Sequence, residues 1–164
     1  MKTDEIQVRP AIPAQVADCL TILMDSILGH YFEESLAARI LTEAQTKTEL
    51  IAATEGGDVV GFYVNASHGS FLAFPYLHLL AVKTAVRGEG IGAKLLVHLE
   101  TSTLEAPGYP FRPKIFLLVA QDNEAAIRFY ERHGYSRKAV IDDMFGEGDT
   151  EFLMMKDLGK KKVQ

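Results

Sequence analysis

The run KIFLLVAQ, residues 114–121, constrains the fold more than any other stretch of this chain. It is far too short to span a bilayer, and it lies between Pro113 and the polar pair Asp122-Asn123. A continuous apolar run of that length is a strand covered on both faces, as in a sheet with layers above and below. Such a sheet needs amphipathic helices, and the sequence supplies them. Val16, Leu20, Leu23 and Ile27 recur at helical spacing and predict a first helix ending near Gly29. Leu36 and Ile40 carry a second helix through ESLAARILTEAQ, and Ile91, Leu95 and Leu99 a third that lasts until Pro107. DNEAAIRFYERHG reads as a fourth, with Asp122 or Asn123 as its cap and Gly134 as its stop. EIQVRP, TELIAAT, VVGFYVNAS, FPYLHLLAVK, YSRKAVID and TEFLMMKDL are the other strands, with EGGD as a turn and HGS as a break before FPYLHLLAVK. The order is β-α-α-β-β-β-α-β-α-β-β. Hairpins beside crossover helices predict a mixed sheet in an α/β fold, a single domain over residues 1–164.

Composition narrows the function classes. Of 164 residues, 48% are apolar and 24% charged, the balance of an ordinary globular domain. A net charge of −5 argues against nucleic acid as a partner, because displacing its counterions needs a basic surface. No apolar run reaches bilayer-spanning length and MKTDEIQVRP has no signal-peptide core, so no membrane partner is expected. Cys19 is the single cysteine and falls on a helical apolar pattern; packing and a cytoplasmic location follow as expectations. The five histidines show no ligand spacing with one another or with Cys19, so no metal is expected. Residues 158–164, with Lys160 to Lys162, read as a frayed basic tail.

RGEGIGAK stands between an apolar strand and an amphipathic helix. A helix N-terminus presents unpaired N–H groups and a partial positive charge, a natural seat for phosphate. Glycines at 88, 90 and 92 let an anion approach those amides closely. The phosphate loop of nucleotide hydrolases does not fit, because Lys94 is separated from Gly92 and is followed by Leu95. The dinucleotide fingerprint lacks its early strand-helix-strand start and its downstream acid. A glycine turn with no ligand remains the alternative.

RGEGIGAKLL after an apolar strand, followed by VAQDNEAAIRFYERHGY, resembles the GNAT-type N-acetyltransferase superfamily over the middle and C-terminal two-thirds of the chain. The resemblance implies a GNAT-like mixed, mostly antiparallel sheet flanked by helices, with acetyl-CoA as co-substrate in a cleft between the fourth and fifth strands. It implies that the amides of Arg87, Gly88, Glu89, Gly90, Ile91, Gly92 and Ala93 hold the pyrophosphate. It implies that Asn123 contacts the pantetheine arm, that Tyr130 sits beside the thiol sulfur, and that a main-chain N–H within Leu80, Ala81 and Val82 receives the oxyanion. Asn123 and Tyr130 are seven apart on the fourth helix and so share one of its faces; Asn123 acting purely as a cap is the plain alternative.

Acetyl transfer to an amine needs a base, an oxyanion donor and a proton for the leaving thiolate. Tyr130 is the candidate acid, since a phenol keeps its proton at neutral pH. Many members of the family carry a glutamate where this chain has His78, in YLHLLAV. Period-two alternation sets His78 on the face of Leu80 and Val82, and histidine can take a proton directly or through water; a water chain is the alternative base. Attack is expected to be direct, since no Cys-His pairing suggests an acyl-enzyme. The acceptor is a small-molecule amine or the amine of a peptide or protein, and a homodimer is the prior for a small enzyme. Rival readings are a CoA-responsive module without turnover and a transferase of a longer acyl group. The resemblance also sets HYFEES and IDDMFGEGDTE around the acceptor. There Glu33, Glu34, Asp142, Asp143, Glu147, Asp149 and Glu151 would favour a cationic amine, with Tyr31, Phe32 and Phe145 lining its path; a solvated acidic surface in an acidic protein is the alternative.

Overall fold

The computed structural model describes residues 5–106 and 111–159. Its elements are β1 (Gln7–Pro10), α1 (Val16–Met24), α2 (Glu34–Thr46), β2 (Leu50–Glu55), β3 (Asp58–Ser70), β4 (Phe74–Val82), α3 (Ile91–Glu105), β5 (Lys114–Ala120), α4 (Glu124–Arg132), β6 (Ser136–Ile141) and β7 (Glu151–Asp157). This is the order read from the sequence. The strands hydrogen-bond in the order β1-β2-β3-β4-β5-β7-β6. β1–β2, β2–β3, β5–β7 and β6–β7 are antiparallel, and β4–β5 is parallel through Tyr76↔Phe116 and Leu77↔Leu117. β5, the apolar run, is an interior strand: Ile115, Leu117 and Val119 are buried and the residues between them half-buried. β1, which carries Pro10, lies at an edge, where a missing N–H costs no ladder bond.

Backbone contacts divide the chain into two compact units, Met1–Ala66 with Leu79–Leu99, and Ser67–His78 with Glu100–Gln164. In the first, Cys19 and Leu23 of α1, Ala37 and Leu41 of α2, Leu50 of β2 and Phe62 of β3 form a buried core. α1 stops at Met24, short of the expected Gly29. Ser26 Oγ donates to Leu23 O at 2.6 Å, and a 3-10 turn, Ile27–Tyr31, takes over. Thus Ile27, expected as the last apolar position of the helix, is more than half exposed.

In the second unit Ile115, Leu117, Val119, Ile127, Tyr135, Phe152 and Met154 are buried. Glu100, in the C-terminal half of α3, accepts from Lys156 Nζ at 3.0 Å and from the Tyr135 hydroxyl at 3.4 Å. His68, Gly69 and Ser70, expected as a break, belong to β3 instead. The chain turns one step later, at Phe71 and Leu72, both left-handed (φ 57° and 58°), with the Ala73 N–H donating to Ser70 O at 3.1 Å. The Phe71 ring meets Phe116 edge-on at 5.5 Å, while Leu72 is 88% exposed. At the C-terminal end, Leu158 N–H donates to Pro113 O and Gly159 N–H to Asp157 Oδ1. The lysines of the expected basic tail, 160–162, lie outside the described residues, as does Pro107.

Candidate functional site

The glycine loop belongs wholly to the first unit. Just past the end of β4, the Lys83 N–H donates to Val60 O on β3 at 2.8 Å. Backbone groups of a strand alternate sides, so the Ala81 N–H also points toward β3 and those of Leu80 and Val82 point away. Alternation therefore favours Leu80 and Val82 over Ala81 as free donors. A short 3-10 turn, Thr84–Val86, leads into the loop. Thr84 Oγ1 donates to Asp25 Oδ2 at 3.1 Å, and Arg87 Nε donates back to Val82 O at 3.3 Å. Gly88 and Gly90 both sit at φ +83°, a conformation that L side chains avoid, and a Cβ on either would meet no protein atom within 4 Å. Gly92 has no such constraint; it lies in the first turn of α3. The Lys94 N–H donates to Gly90 O at 3.1 Å, so α3 begins at a residue with no side chain to cap it. The N–H groups of Ile91, Gly92 and Ala93 have no carbonyl to bond within the helix. Arg87, Gly88, Glu89 and Gly90 are exposed, whereas Ile91 is buried and anchors the helix start.

The second unit carries the other candidates. Asn123 is the cap of α4: its Oδ1 accepts from the Ala126 N–H at 3.2 Å. Asn123, then, and not Asp122, is the cap, and its amide NH₂ is what the side chain can offer a ligand. Tyr130 is buried at 9% exposure in the last turn of α4. The helix ends in a two-bond lock, Gly134 N–H to Glu131 O at 3.1 Å and Tyr135 N–H to Tyr130 O at 3.0 Å. Gly134 adopts φ +90°, as that stop requires, and the Tyr130 and Tyr135 rings meet edge-on at 5.6 Å. The Gly-Tyr that closes the helix motif thus pins Tyr130 through its own carbonyl and ring. Burial, reinforced by the Tyr76 phenol, raises the Tyr130 pKa, so its proton is retained at neutral pH.

His78 and Tyr76 project from β4 on the same side, their rings stacked at 5.7 Å and 25°. His78 is exposed as a residue, yet neighbouring protein desolvates the imidazole enough to lower its pKa. The imidazole is therefore neutral at pH 7 and able to accept a proton. Tyr76 was not singled out in the sequence, although the alternation that aligned His78 with Leu80 and Val82 extends to it. Its own pKa is raised by burial and by the charge of Glu151.

The acidic residues separate by job. Glu33 precedes α2 and accepts from the Ala37 N–H through its carbonyl, and Glu34 lies in the first turn, where negative charge suits the helix dipole. Phe32 packs against the core of the first unit, while Tyr31 and Phe145 are exposed. Asp142 accepts from Thr150 Oγ1 at 3.1 Å, and Asp143, left-handed at φ 54°, accepts from the Gly148 N–H at 2.7 Å; both build the β6–β7 turn. Glu151, grouped with loop acids by sequence, is the buried first residue of β7. Cys19 is fully buried, and that burial, with Asp18 adding, pushes its thiol up to about 12, so it is packed and un-ionised. Among the described residues no group of histidine, cysteine and acidic side chains could hold a metal ion, and no helix is long and apolar enough to cross a membrane.

The profile of the acetyltransferase (GNAT) domain family matches residues 46–137, more than half of the chain. The chain belongs to the GNAT acetyltransferase family. A mycothiol acetyltransferase of Paenarthrobacter aurescens is 25% identical over 148 residues, covering 82% of this chain and 43% of the relative. The chain spans less than half the length of the curated relatives it matches. Two solved structures share the fold. One is Ard1 from Thermoplasma volcanium (TM-score 0.78, 22% identity, 94% of this chain and 99% of that one). The other is an aminoglycoside 6'-N-acetyltransferase complexed with coenzyme A (TM-score 0.76, 18% identity, 97% and 99%). The mostly antiparallel, helix-flanked sheet expected from the resemblance is the sheet observed.

Proposed function

We propose that this chain is one N-acetyltransferase domain that moves the acetyl group of acetyl-CoA to a primary amine by direct attack on the thioester. The observation that carries the reading is the loop of Gly88 and Gly90, left-handed and open, ahead of an α3 whose first N–H groups have no side-chain cap. In a chain of this family that loop is suited to a pyrophosphate, seated on the amides of residues 87–93. Lys83 and Arg87 add positive charge nearby in sequence. The Asn123 NH₂ addresses the pantetheine arm. These residues hold the cofactor; the cofactor supplies the activated acetyl group.

In the chemical step His78, whose pKa desolvation lowers, takes the ammonium proton of the acceptor directly or through water. The Leu80 or Val82 N–H, which alternation directs away from β3, receives the oxyanion of the tetrahedral intermediate. Collapse expels the CoA thiolate, and Tyr130, which keeps its phenolic proton, donates it to the sulfur. No acyl-enzyme is required, and the un-ionised Cys19 thiol is unsuited to one. A reducing cytoplasm fits that thiol, and the acceptor is a small cationic amine or a basic peptide.

The test is an acceptor screen with acetyl-CoA, read by thiol release and confirmed by product mass. Binding of acetyl-CoA without thiol release from any amine would make the chain a sensor. Absence of binding would remove the reading altogether. Propionyl- and succinyl-CoA under identical conditions report which acyl group is preferred.

A further inference from the structure

The second unit contains a carboxylate, carried by a largely enclosed residue, that no cation among the described residues answers. Glu151 is 5% exposed and lies in register with Ala120 of β5 and Ile141 of β6. Residues opposite one another in a ladder share a sheet face, as do alternate residues along a strand. Glu151 faces with Ala120, hence with Leu118 and Phe116, and Phe116 pairs with Tyr76, which faces with His78. One face of this unit therefore carries the candidate base, a tyrosine stacked on it, and the Glu151 carboxylate. Two strand steps of about 4.8 Å and two residues of about 3.3 Å separate His78 from Glu151, or roughly 12 Å between Cα atoms.

Among the described residues no hydrogen bond or ion pair engages that carboxylate. The charges that act on it are those of Asp149 and Asp122, both of its own sign. Its field in turn reaches the Tyr76 phenol. The residue is largely enclosed but its carboxylate oxygens still reach solvent, so the negative charge, which no cation of the described residues answers, stands open to a cation from outside. We propose that Glu151 is a specificity-determining residue that receives a second, charged ammonium group of the acceptor, so that the preferred substrate is an aliphatic amine bearing another cation. Asp122 and Asp149 deepen the negative potential, and the Tyr76 ring offers its face to the same cation. This rests on the acetyltransferase reading, in which the acceptor's other amine is the one deprotonated at His78.

The experiment uses the full chain with spermidine and butylamine as probes. Acetyl-CoA is first titrated alone by thermal shift; failure there sinks the underlying reading and is seen before any amine is added. With acetyl-CoA saturating, the wild type should show a kcat/KM for spermidine at least about tenfold above that for butylamine, shrinking as salt rises. Glu151→Gln, of the same shape, should reduce that ratio by about tenfold or more, chiefly through the KM for spermidine, while acetyl-CoA still raises its melting temperature. Should Glu151→Gln fail to fold, Asp122→Asn at an exposed position decides, with a smaller fall in the ratio expected. Equal handling of the two amines by the wild type, including turnover of neither while acetyl-CoA binds, overturns the proposal. So does a ratio that survives in the variants.

Discussion

Gly90 has two separable jobs, and two substitutions divide them. Its φ of +83° is a backbone requirement, while the open space around its absent side chain is where the proposed ligand requirement falls. Gly90→Ala should lose about 1–2 kcal/mol from the left-handed conformation alone, which at about 2–4 °C per kcal/mol for a chain of this size lowers the apo melting temperature by ~2–8 °C. Asn tolerates that conformation, so Gly90→Asn should leave the apo protein nearer the wild type, yet put a side chain where the phosphate is proposed to sit. Acetyl-CoA at about 100 times its Kd stabilises the wild type by about 2.7 kcal/mol, a rise of ~5–11 °C. Loss of one charge-assisted hydrogen bond, about 2 kcal/mol, weakens binding about 30-fold. At the same ligand concentration the stabilisation then falls to about 0.9 kcal/mol, or ~2–4 °C. Differential scanning fluorimetry of both variants with and without acetyl-CoA reads all of these quantities. A full acetyl-CoA shift in Gly90→Asn would show that the glycine serves the backbone only, and the phosphate seat would have to be abandoned.

Tyr130→Phe should lower kcat by on the order of 10²-fold with the acetyl-CoA thermal shift preserved, because it removes the thiolate's proton and leaves the ring contacts; an unchanged kcat assigns that proton to water. Since burial lowers the His78 pKa, kcat/KM should fall as pH drops through a value below the ordinary histidine value of about 6.5, and His78→Ala should abolish that limb. The same shift makes the unfolded chain bind its proton at a higher pH than the folded one, so stability should decline on acidification below about pH 6.5. His78→Ala should flatten that decline, as measured by urea unfolding at a series of pH values. A wild-type profile in this variant leaves the base to a water chain.

The order of elements was legible because periodicity and punctuation agree: apolar residues at helical spacing, a continuous strand before Asp122, and glycines after the first and fourth helices. The β3–β4 turn was not. His68, Gly69 and Ser70 have turn chemistry, and Phe71 and Leu72 have the opposite, so local propensity placed the break too early and cross-strand pairing overrode it. The glycine loop and the Tyr130 helix were readable because their residue types are dictated by backbone conformation, at Gly88, Gly90 and Gly134. Glu151 was visible only as one more acid in an acidic stretch. Its burial depends on register with Ala120 and Ile141, and no local pattern encodes which partners a strand end will meet. Tyr76 could have been found, by running the alternation one step further back from His78.

The hairpin at Phe71 and Leu72 has a bearing on how this protein can be altered. A two-residue hairpin turn with both central residues left-handed suits Asn-Gly, and bulky residues there give up about 1–2 kcal/mol each. Phe71 recovers about 0.5–1.5 kcal/mol from its edge-on contact with Phe116, while Leu72, standing in solvent, recovers nothing comparable. Against a typical net stability of about 5–15 kcal/mol, the tip is a sizeable reserve held far along the chain from the glycine loop and from Tyr130. Glycine at Leu72 alone draws on that reserve without touching the aromatic contact. It gives an engineer or an evolving lineage a margin against which costlier changes around Glu151 can be tolerated.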